Sequence, residues 1–270
     1  MVRWIVLVEI VVILLMANLF VAKHLDKVCN KEEKLNAVET KQKAVKAGVI
    51  QTEAPTQEPR ETEASKKEKA LKKEAKKLGK SMDEKLRILV NKEHKVPADY
   101  KVKLVTYKKT EKIVAKIIRA PLEQMLKDGE KEGLSFQLCS AYRSNKAQQR
   151  LVDRDVRKYK RQGLSEEEAL EKTYKVVQAA GHSEHATGLA VDIVSDHNTS
   201  LNETQETTDE FQWLKAHCAE YGFILRYPHG KTGITGIIYE PWHFRYVGKE
   251  AAKFITENQL TYEEFYEMAW

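Results

Sequence analysis

The chain has 270 residues and carries 46 lysines and arginines against 40 acidic side chains, for a net charge of +6. That surplus suits anionic surfaces, but no base-stacking platform or recognition motif accompanies it, which argues against a nucleic-acid partner. Three cysteines are too few for a disulfide-built scaffold.

Trp4 to Ala22 is a largely apolar run broken only by Glu9 and Asn18. It is close to the length that crosses a hydrocarbon core as a helix. Phe20-Val21-Ala22 makes a poor small-residue cleavage exit, so residues 1–22 read as an uncleaved signal anchor, a transmembrane helix, rather than a removed leader. Glu9 weakens the span if it sits at mid-bilayer. Arg3 precedes the run and Lys23, Lys27 and Lys31 follow it, so loop charge does not settle the orientation.

Residues 23–84 read as a charged, low-complexity stalk, partly helical. No Phe, Trp or Tyr occurs from 21 to 99, so the segment lacks the surface needed to offset its ordering entropy. Thr52 to Ser65, with Pro55 and Pro59, reads as a linker. Leu71, Ala75, Leu78 and Met82 follow a 4-3-4 spacing that suits a short solvated helix or, less well, a weak coiled coil.

Residues 85–250 are of a size for one catalytic domain, with 251–270 as its C-terminal helical extension. Ile113 to Lys127 has helical apolar spacing, which Pro121 should kink or divide. Ser165-Glu166-Glu167-Glu168 is a capping box, and its helix is expected to run to about Gly181. Thr207 or Thr208 should start another helix that Gly222 closes, with Phe211, Leu214, Cys218 and Tyr221 on one face. Strands are expected near 135–140, 189–194, 223–227, 236–239 and 243–247. The expected class is α+β, a small antiparallel sheet flanked by helices. Cys139 and Cys218 suit either a disulfide or two buried thiols, and Cys29 falls in the stalk.

The chemistry concentrates in Ser183-Glu184-His185-Ala186-Thr187-Gly188-Leu189-Ala190-Val191-Asp192 and, further on, Glu240-Pro241-Trp242-His243. Two imidazoles and a carboxylate fill three positions of a tetrahedral Zn²⁺ site, and a further carboxylate can move a proton. Asp192 lies within an apolar run from Leu189 to Val194, where a buried carboxylate calls for a metal or cation. Gly188 permits a tight turn just before it. Pro241 disfavours a helix through Glu240, so Glu240 and His243 are expected to converge from a loop or strand end. An HExxH helix is absent. His182, His197, His217 and His229, isolated in the sequence, are better read as structural.

In this order and spacing the motifs resemble the VanY-type zinc D-alanyl-D-alanine carboxypeptidases, a group that takes in VanX-type dipeptidases and LD-carboxypeptidases. The resemblance extends to Ser140-Ala141-Tyr142-Arg143-Ser144 with Gln148, to Tyr221 through Pro228, and to Phe244-Arg245-Tyr246-Val247-Gly248. Leu89 to Lys92 and Val96 to Tyr100 look like the start of that family's domain. It implies His185, Asp192 and His243 as zinc ligands, Glu240 as catalytic base and acid, and Arg143 as the oxyanion's partner. It also implies substrate contacts at Ser183 and Gln148, with Tyr227 and Trp242 beside them. Arg226, with Gln148 and Tyr227, is a position where substrate choice could be set. The implied cofactor is Zn²⁺ and the implied partner is a peptidoglycan stem peptide ending in D-amino acids. The implied activity is removal of terminal D-Ala from pentapeptides, by a domain on the extracytoplasmic face of the cell membrane. An LD-carboxypeptidase acting on tetrapeptides is the alternative within the family, and a non-catalytic wall-binding module the alternative outside it. Oligomeric state is not legible.

Overall fold

The structure, a computed structural model, describes residues 62–270. The expected anchor at 1–22, residues 23–61 of the expected stalk and Cys29 lie outside the described residues. Among the described residues no helix is long and apolar enough to cross a membrane. In chain order the elements are α1 (Glu63–Ser81), β1 (Leu104–Tyr107), β2 (Lys112–Ala115), α2 (Lys116–Lys131), β3 (Phe136–Ser140), α3 (Asn145–Arg161) and α4 (Glu166–Tyr174). There follow β4 (Ala190–Ser195), α5 (Asp209–His217), β5 (Phe223–Leu225), the single turn α6 (Thr232–Thr235), β6 (His243–Tyr246), α7 (Lys249–Glu257) and α8 (Tyr262–Ala269).

The α+β expectation matches this arrangement. β1 and β2 form a hairpin, and a four-stranded sheet runs in the order β3-β4-β6-β5, every pair antiparallel. β4 is buried at all its positions, which is why its sequence is an apolar run rather than an alternation. Ile118, Leu122 and Met125 of α2, Phe211 and Leu214 of α5, Ile255 of α7 and Phe265 of α8 pack with it in one core. Full burial of such side chains stabilises the fold by about 1.5–3 kcal/mol each. Two glycines set the path around the sheet. Gly222 (φ +90°) closes the turn after α5, where a Cβ would stand 2.7 Å from the Tyr246 ring. Gly188 (φ +71°) leads into β4, where a Cβ would stand 3.0 Å from the Ala115 nitrogen that bonds the Gly188 carbonyl.

Several expectations match closely. Ser165 and Glu168 form the capping box of α4, and Thr208 caps α5 through the Phe211 amide. Phe211, Leu214 and Cys218 are buried and Tyr221 packs beside them. Cys139 and Cys218 are free thiols, not a disulfide.

Four expectations are corrected. The boundary between stalk and domain moves from 84 to about residue 61, where the compact unit begins. Ala75, Leu78 and Met82 are buried, and α1 packs on α8 so closely that a Cβ at Gly79 would lie 2.9 Å from that of Ala269. The apolar stripe of α1 is narrow because its partner is another helix, nearly two hundred residues later, rather than water.

The helix expected from Ile113 begins at Lys116, because Ile113 and Val114 pair in the hairpin with Thr106 and Val105. Pro121 then sits inside α2 without dividing it. α4 stops at Tyr174 rather than near Gly181: the Thr173 carbonyl accepts from both Val176 and Val177, and the Lys175 carbonyl accepts from Ile238. The two β-branched residues favour that exit. Residues 236–239 form no strand. Gly236 (φ +75°) terminates α6, and Ile237 and Tyr239 are buried, so their alternation reflects packing rather than a ladder.

Candidate metal centre and active site

The sheet register assembles the centre. Asp192 of β4 lies opposite His243 of β6, and Ser140 of β3 lies opposite Asp192 on the other side. His185 comes from a 3₁₀ turn, Glu184–Thr187, which Gly188 closes just before β4. Glu240 sits in the loop before β6, its amide held by the Tyr227 carbonyl and its own carbonyl by the His243 amide. Glu240 and His243 therefore meet through a loop and a strand start, as Pro241 implies.

The three expected ligands converge. His185 Nε2 is 3.2 Å from Asp192 Oδ2, and His243 Nδ1 is 3.0 Å from Asp192 Oδ1. One donor atom from each lies within 4.8 Å of the others, and all three residues are buried. Ligands about 2.0–2.1 Å from a tetrahedral Zn²⁺ stand roughly 3.3 Å apart, so these spacings suit that ion. Asp192 Oδ1 is buried without a hydrogen-bond partner, a state that a cation resolves. The Nδ1 of His185 lies 2.7 Å from the Ala141 carbonyl. A carbonyl only accepts, so Nδ1 carries the proton and Nε2 offers its lone pair to the triad.

Charge follows burial. Desolvation works against the Asp192 carboxylate, but His185 and His243 outweigh it and hold its pKa well below the usual carboxylate range. Burial lowers the pKa of His185. Burial disfavours the His243 imidazolium too, yet its contacts with Asp192 and Glu184 raise it to about 9. Burial pushes the Glu240 carboxyl up to about 8, helped by the nearby Asp192 charge. A raised carboxyl against a metal triad is the pattern of a group that exchanges protons.

Arg143 closes one side. It follows β3, bonds its amide to the His185 carbonyl, and places its guanidinium 3.9 Å from Asp192 Oδ2. Ser140 Oγ and Gln148 Oε1 accept from the guanidinium at 2.6 and 2.9 Å. Gln148 also donates to the Gln178 carbonyl, so its whole amide serves to hold Arg143. Ser183, Tyr227 and Trp242 line the same cleft of about 390 Å³ as the triad, Glu240, Arg143 and Gln148. The Tyr227 ring lies against His243, centroids 4.9 Å apart.

Arg226 departs from its expected place. It is fully buried behind the triad and bonds Glu184 and Glu263, so it does not face the cleft. His182, His217 and His229 bond Asn91, Glu220 and Glu206 instead of the triad. Among the residues not anticipated are Val176, Val177 and Leu201 on the cleft rim and Cys139 on its wall. Glu184 is another: it touches His243 from the rear at 3.5 Å and neutralises Arg226 and Arg245. Two arginines, Arg226 directly after the apolar run Phe223–Leu225 and Arg245 between Phe244 and Tyr246, were the signal for it, since buried cations require an acid.

Comparison with known proteins agrees with this geometry. The profile of the VanY family, described as D-alanyl-D-alanine carboxypeptidase, matches residues 111–249. A D-alanyl-D-alanine carboxypeptidase of Enterococcus faecalis is 39% identical over 181 residues, which cover 66% of this chain and 64% of that protein. The matched segment thus spans less than two thirds of that relative's length. The crystal structure of a vancomycin-resistance D,D-pentapeptidase VanY in complex with Zn(II) is 36% identical, covers 67% of this chain and 99% of that one, and superposes with a TM-score of 0.61. The LdcB LD-carboxypeptidase structure is also 36% identical, covering 67% and 86%, with a TM-score of 0.59. With its triad, its carboxyl and its arginine in one cleft, the chain belongs to the VanY family of D-alanyl-D-alanine carboxypeptidases.

Proposed function

We propose that this protein is a zinc carboxypeptidase that removes the terminal D-Ala from peptidoglycan stem pentapeptides, held at the membrane by residues 1–22 with its catalytic domain on the extracytoplasmic face. The observation that carries the reading is the convergence of Glu240 and Arg143 on the cleft side of His185, Asp192 and His243. Holding a metal requires neither of them. The apolar run Trp4–Ala22 and the lysine-rich segment after it support the tether, which suits a polymeric substrate.

His185 Nε2, an Asp192 oxygen and His243 Nδ1 would hold the metal. The bound ion supplies a Lewis acid that polarises a carbonyl and acidifies water. Glu240, the one carboxyl in the cleft with a raised pKa and no guanidinium bonded to it, takes the proton from the attacking water and returns it to the leaving amine. A positive charge nearby favours its ionised form, so loading the site also readies the base. Arg143, fixed by Ser140 and Gln148, presents its charge to the oxygen that becomes negative as the carbonyl is attacked. Buried Tyr227 and Trp242 close the cleft around these groups.

The likeness to the LdcB LD-carboxypeptidase supports a second reading, cleavage of stem tetrapeptides by the same groups. The test incubates the full-length protein and Zn²⁺ with a synthetic pentapeptide and a tetrapeptide, and follows D-Ala by mass. Pentapeptide cleavage is expected, reduced by about 10²–10⁴-fold in Glu240→Gln with Zn²⁺ still bound. Cleavage of the tetrapeptide alone would replace the D,D reading by the L,D one. Silence on both with metal bound would leave a binding module.

A further inference from the structure

We infer that Glu184 is a positioning residue: it fixes the tautomer and orientation of His243 from behind, so that Nδ1 rather than Nε2 faces the metal. The inference rests on reading the triad as a Zn²⁺ site.

Glu184 stands between Ser183 and the metal ligand His185. The 3₁₀ turn sends His185 into the triad and Glu184 to its rear, where the Glu184 side chain is fully buried. Its two oxygens have different neighbours. Oε1 accepts from Arg226 Nε at 2.8 Å and from Arg245 Nη1 at 2.7 Å. Oε2 has no hydrogen-bond partner and faces His243 Nε2 at 3.5 Å. His243 Nε2 is likewise buried without a partner. Each is the polar atom placed to satisfy the other.

The direction of that contact is set by chemistry. The two guanidiniums keep Glu184 a carboxylate, and a carboxylate only accepts. Nε2 must therefore carry the hydrogen, which leaves the lone pair on Nδ1, the atom 3.0 Å from Asp192 Oδ1. His185 is held in the opposite sense by the Ala141 carbonyl, with Nδ1 protonated and Nε2 facing Asp192. The centre thus uses opposite nitrogens of its two imidazoles, each selected by a different acceptor. Neutralising Arg226 and Arg245 needs only Oε1. The second oxygen, aimed at a metal ligand, is what a purely structural carboxylate would not require.

Substitution by glutamine makes the two roles separable. In Glu184→Gln the amide oxygen stays with the two guanidiniums, which only donate, so its NH₂ meets the Nε2–H of His243. Two donors facing each other force the ring to rotate or to move its hydrogen to Nδ1, and either change spoils the ligand. Glu263→Gln removes one charge from the same cluster, bonding Arg226 at 2.6 and 2.8 Å, without touching His243.

The experiment measures Zn²⁺ affinity of the full-length protein by chelator competition, with the melting temperature of the metal-free form recorded for each variant. Glu184→Gln should weaken Zn²⁺ by about 10–100-fold, whereas Glu263→Gln should lower the melting temperature and keep wild-type affinity. Equal weakening in both, or none in Glu184→Gln, overturns the inference. Should Glu184→Gln fail to fold, ring ¹⁵N shifts of the Zn²⁺-loaded wild type decide: His243 is expected protonated at Nε2 and His185 at Nδ1. The same nitrogen protonated in both rings would sink the idea. Zn²⁺ bound with opposite tautomers, yet neither peptide cleaved, would keep this inference and discard the carboxypeptidase reading.

Discussion

His243 has two sides, and they are built on opposite rules. On the cleft side it meets Asp192, Glu240 and Tyr227, with Arg143 one residue further out. Glu240 there has no bonded cation, so burial leaves its carboxyl with a raised pKa. On the rear side Glu184 and Glu263 are bonded to Arg226 and Arg245, and Glu184 is held below the usual carboxylate range by those arginines against its burial. The same residue type is thus kept reactive on one face and silent on the other. The difference is a matched counter-ion within hydrogen-bond reach. Chemistry takes place where pairing is left incomplete, and rigidity comes from where it is complete.

The sharpest way to break that contrast is to unpair the rear. Arg226→Met removes three donors, leaving Glu263 with Asn91 as its remaining polar partner and Glu184 with Arg245 as its remaining guanidinium. Breaking a buried pair in this way typically costs about 3–5 kcal/mol. Urea unfolding of the metal-free protein should show that loss. The double variant Arg226→Met, Glu263→Leu should recover most of it, because the unpaired charge goes with its partner. A double variant as unstable as the single would mean that packing, not pairing, holds this wall.

Unpairing the cleft should leave stability nearly alone and reduce rate instead. Arg143 is partly exposed to the cleft, with its side chain at 22%, and its side-chain hydrogen bonds go to Ser140 and Gln148, with the Asp192 carboxylate 3.9 Å away. Arg143→Ala should lower kcat by about 10²–10³-fold, with a midpoint in urea close to wild type. Gln148→Leu, which releases the guanidinium without removing it, should produce a smaller fall of the same kind. If Arg143→Ala changed KM and spared kcat, its charge would serve ground-state binding rather than the developing oxyanion.

The two sides also differ in how legible they are from sequence. Cleft residues announce themselves because function fixes both type and spacing: His185, Asp192, Glu240, His243 and Arg143 stand in short runs where apolar or small residues would otherwise serve. β4 and β6 were legible for a related reason, as buried strands with ionisable residues out of place. The rear was not. Arg226 reads as a residue near substrate, and neither Glu184 nor Glu263 stands out in the sequence at all. Only the sheet register and the return of α8 bring them together, from positions up to 79 residues apart. The same blindness moved α1 out of the domain. Its stripe of Ala75, Leu78 and Met82 makes sense once Ala269 is beside it, and a local reading of period and charge has no access to a partner so distant.

A last and smaller effect distinguishes the faces by pH, in the metal-free protein. Glu240 and His243 have folded-state pKa values near 8 and 9, above their ordinary 4.5 and 6.5. A group whose pKa is raised on folding contributes stability that is complete below its ordinary value and is lost as pH rises through the folded one. The Glu240 contribution therefore fades between pH 4.5 and 8, and that of His243 between 6.5 and 9. Asp192 and Glu184 have the opposite sign: their lowered pKa values contribute stability above 3.8 and 4.5, which is lost only in stronger acid. Across pH 6.5–9 the rear is flat and the cleft slopes. With a chelator present, the melting temperature should fall across that window, and in Glu240→Gln the fall should begin later because only His243 remains to titrate. Saturating Zn²⁺ should abolish or reverse the slope, since the metal displaces the His243 proton and binds better as that proton leaves. A chelated protein whose melting temperature stayed level from pH 6.5 to 9 would mean that neither His243 nor Glu240 is raised on folding, so that Glu240 is already ionised at neutrality. Its readiness as a base would then owe nothing to the charge of the metal beside it.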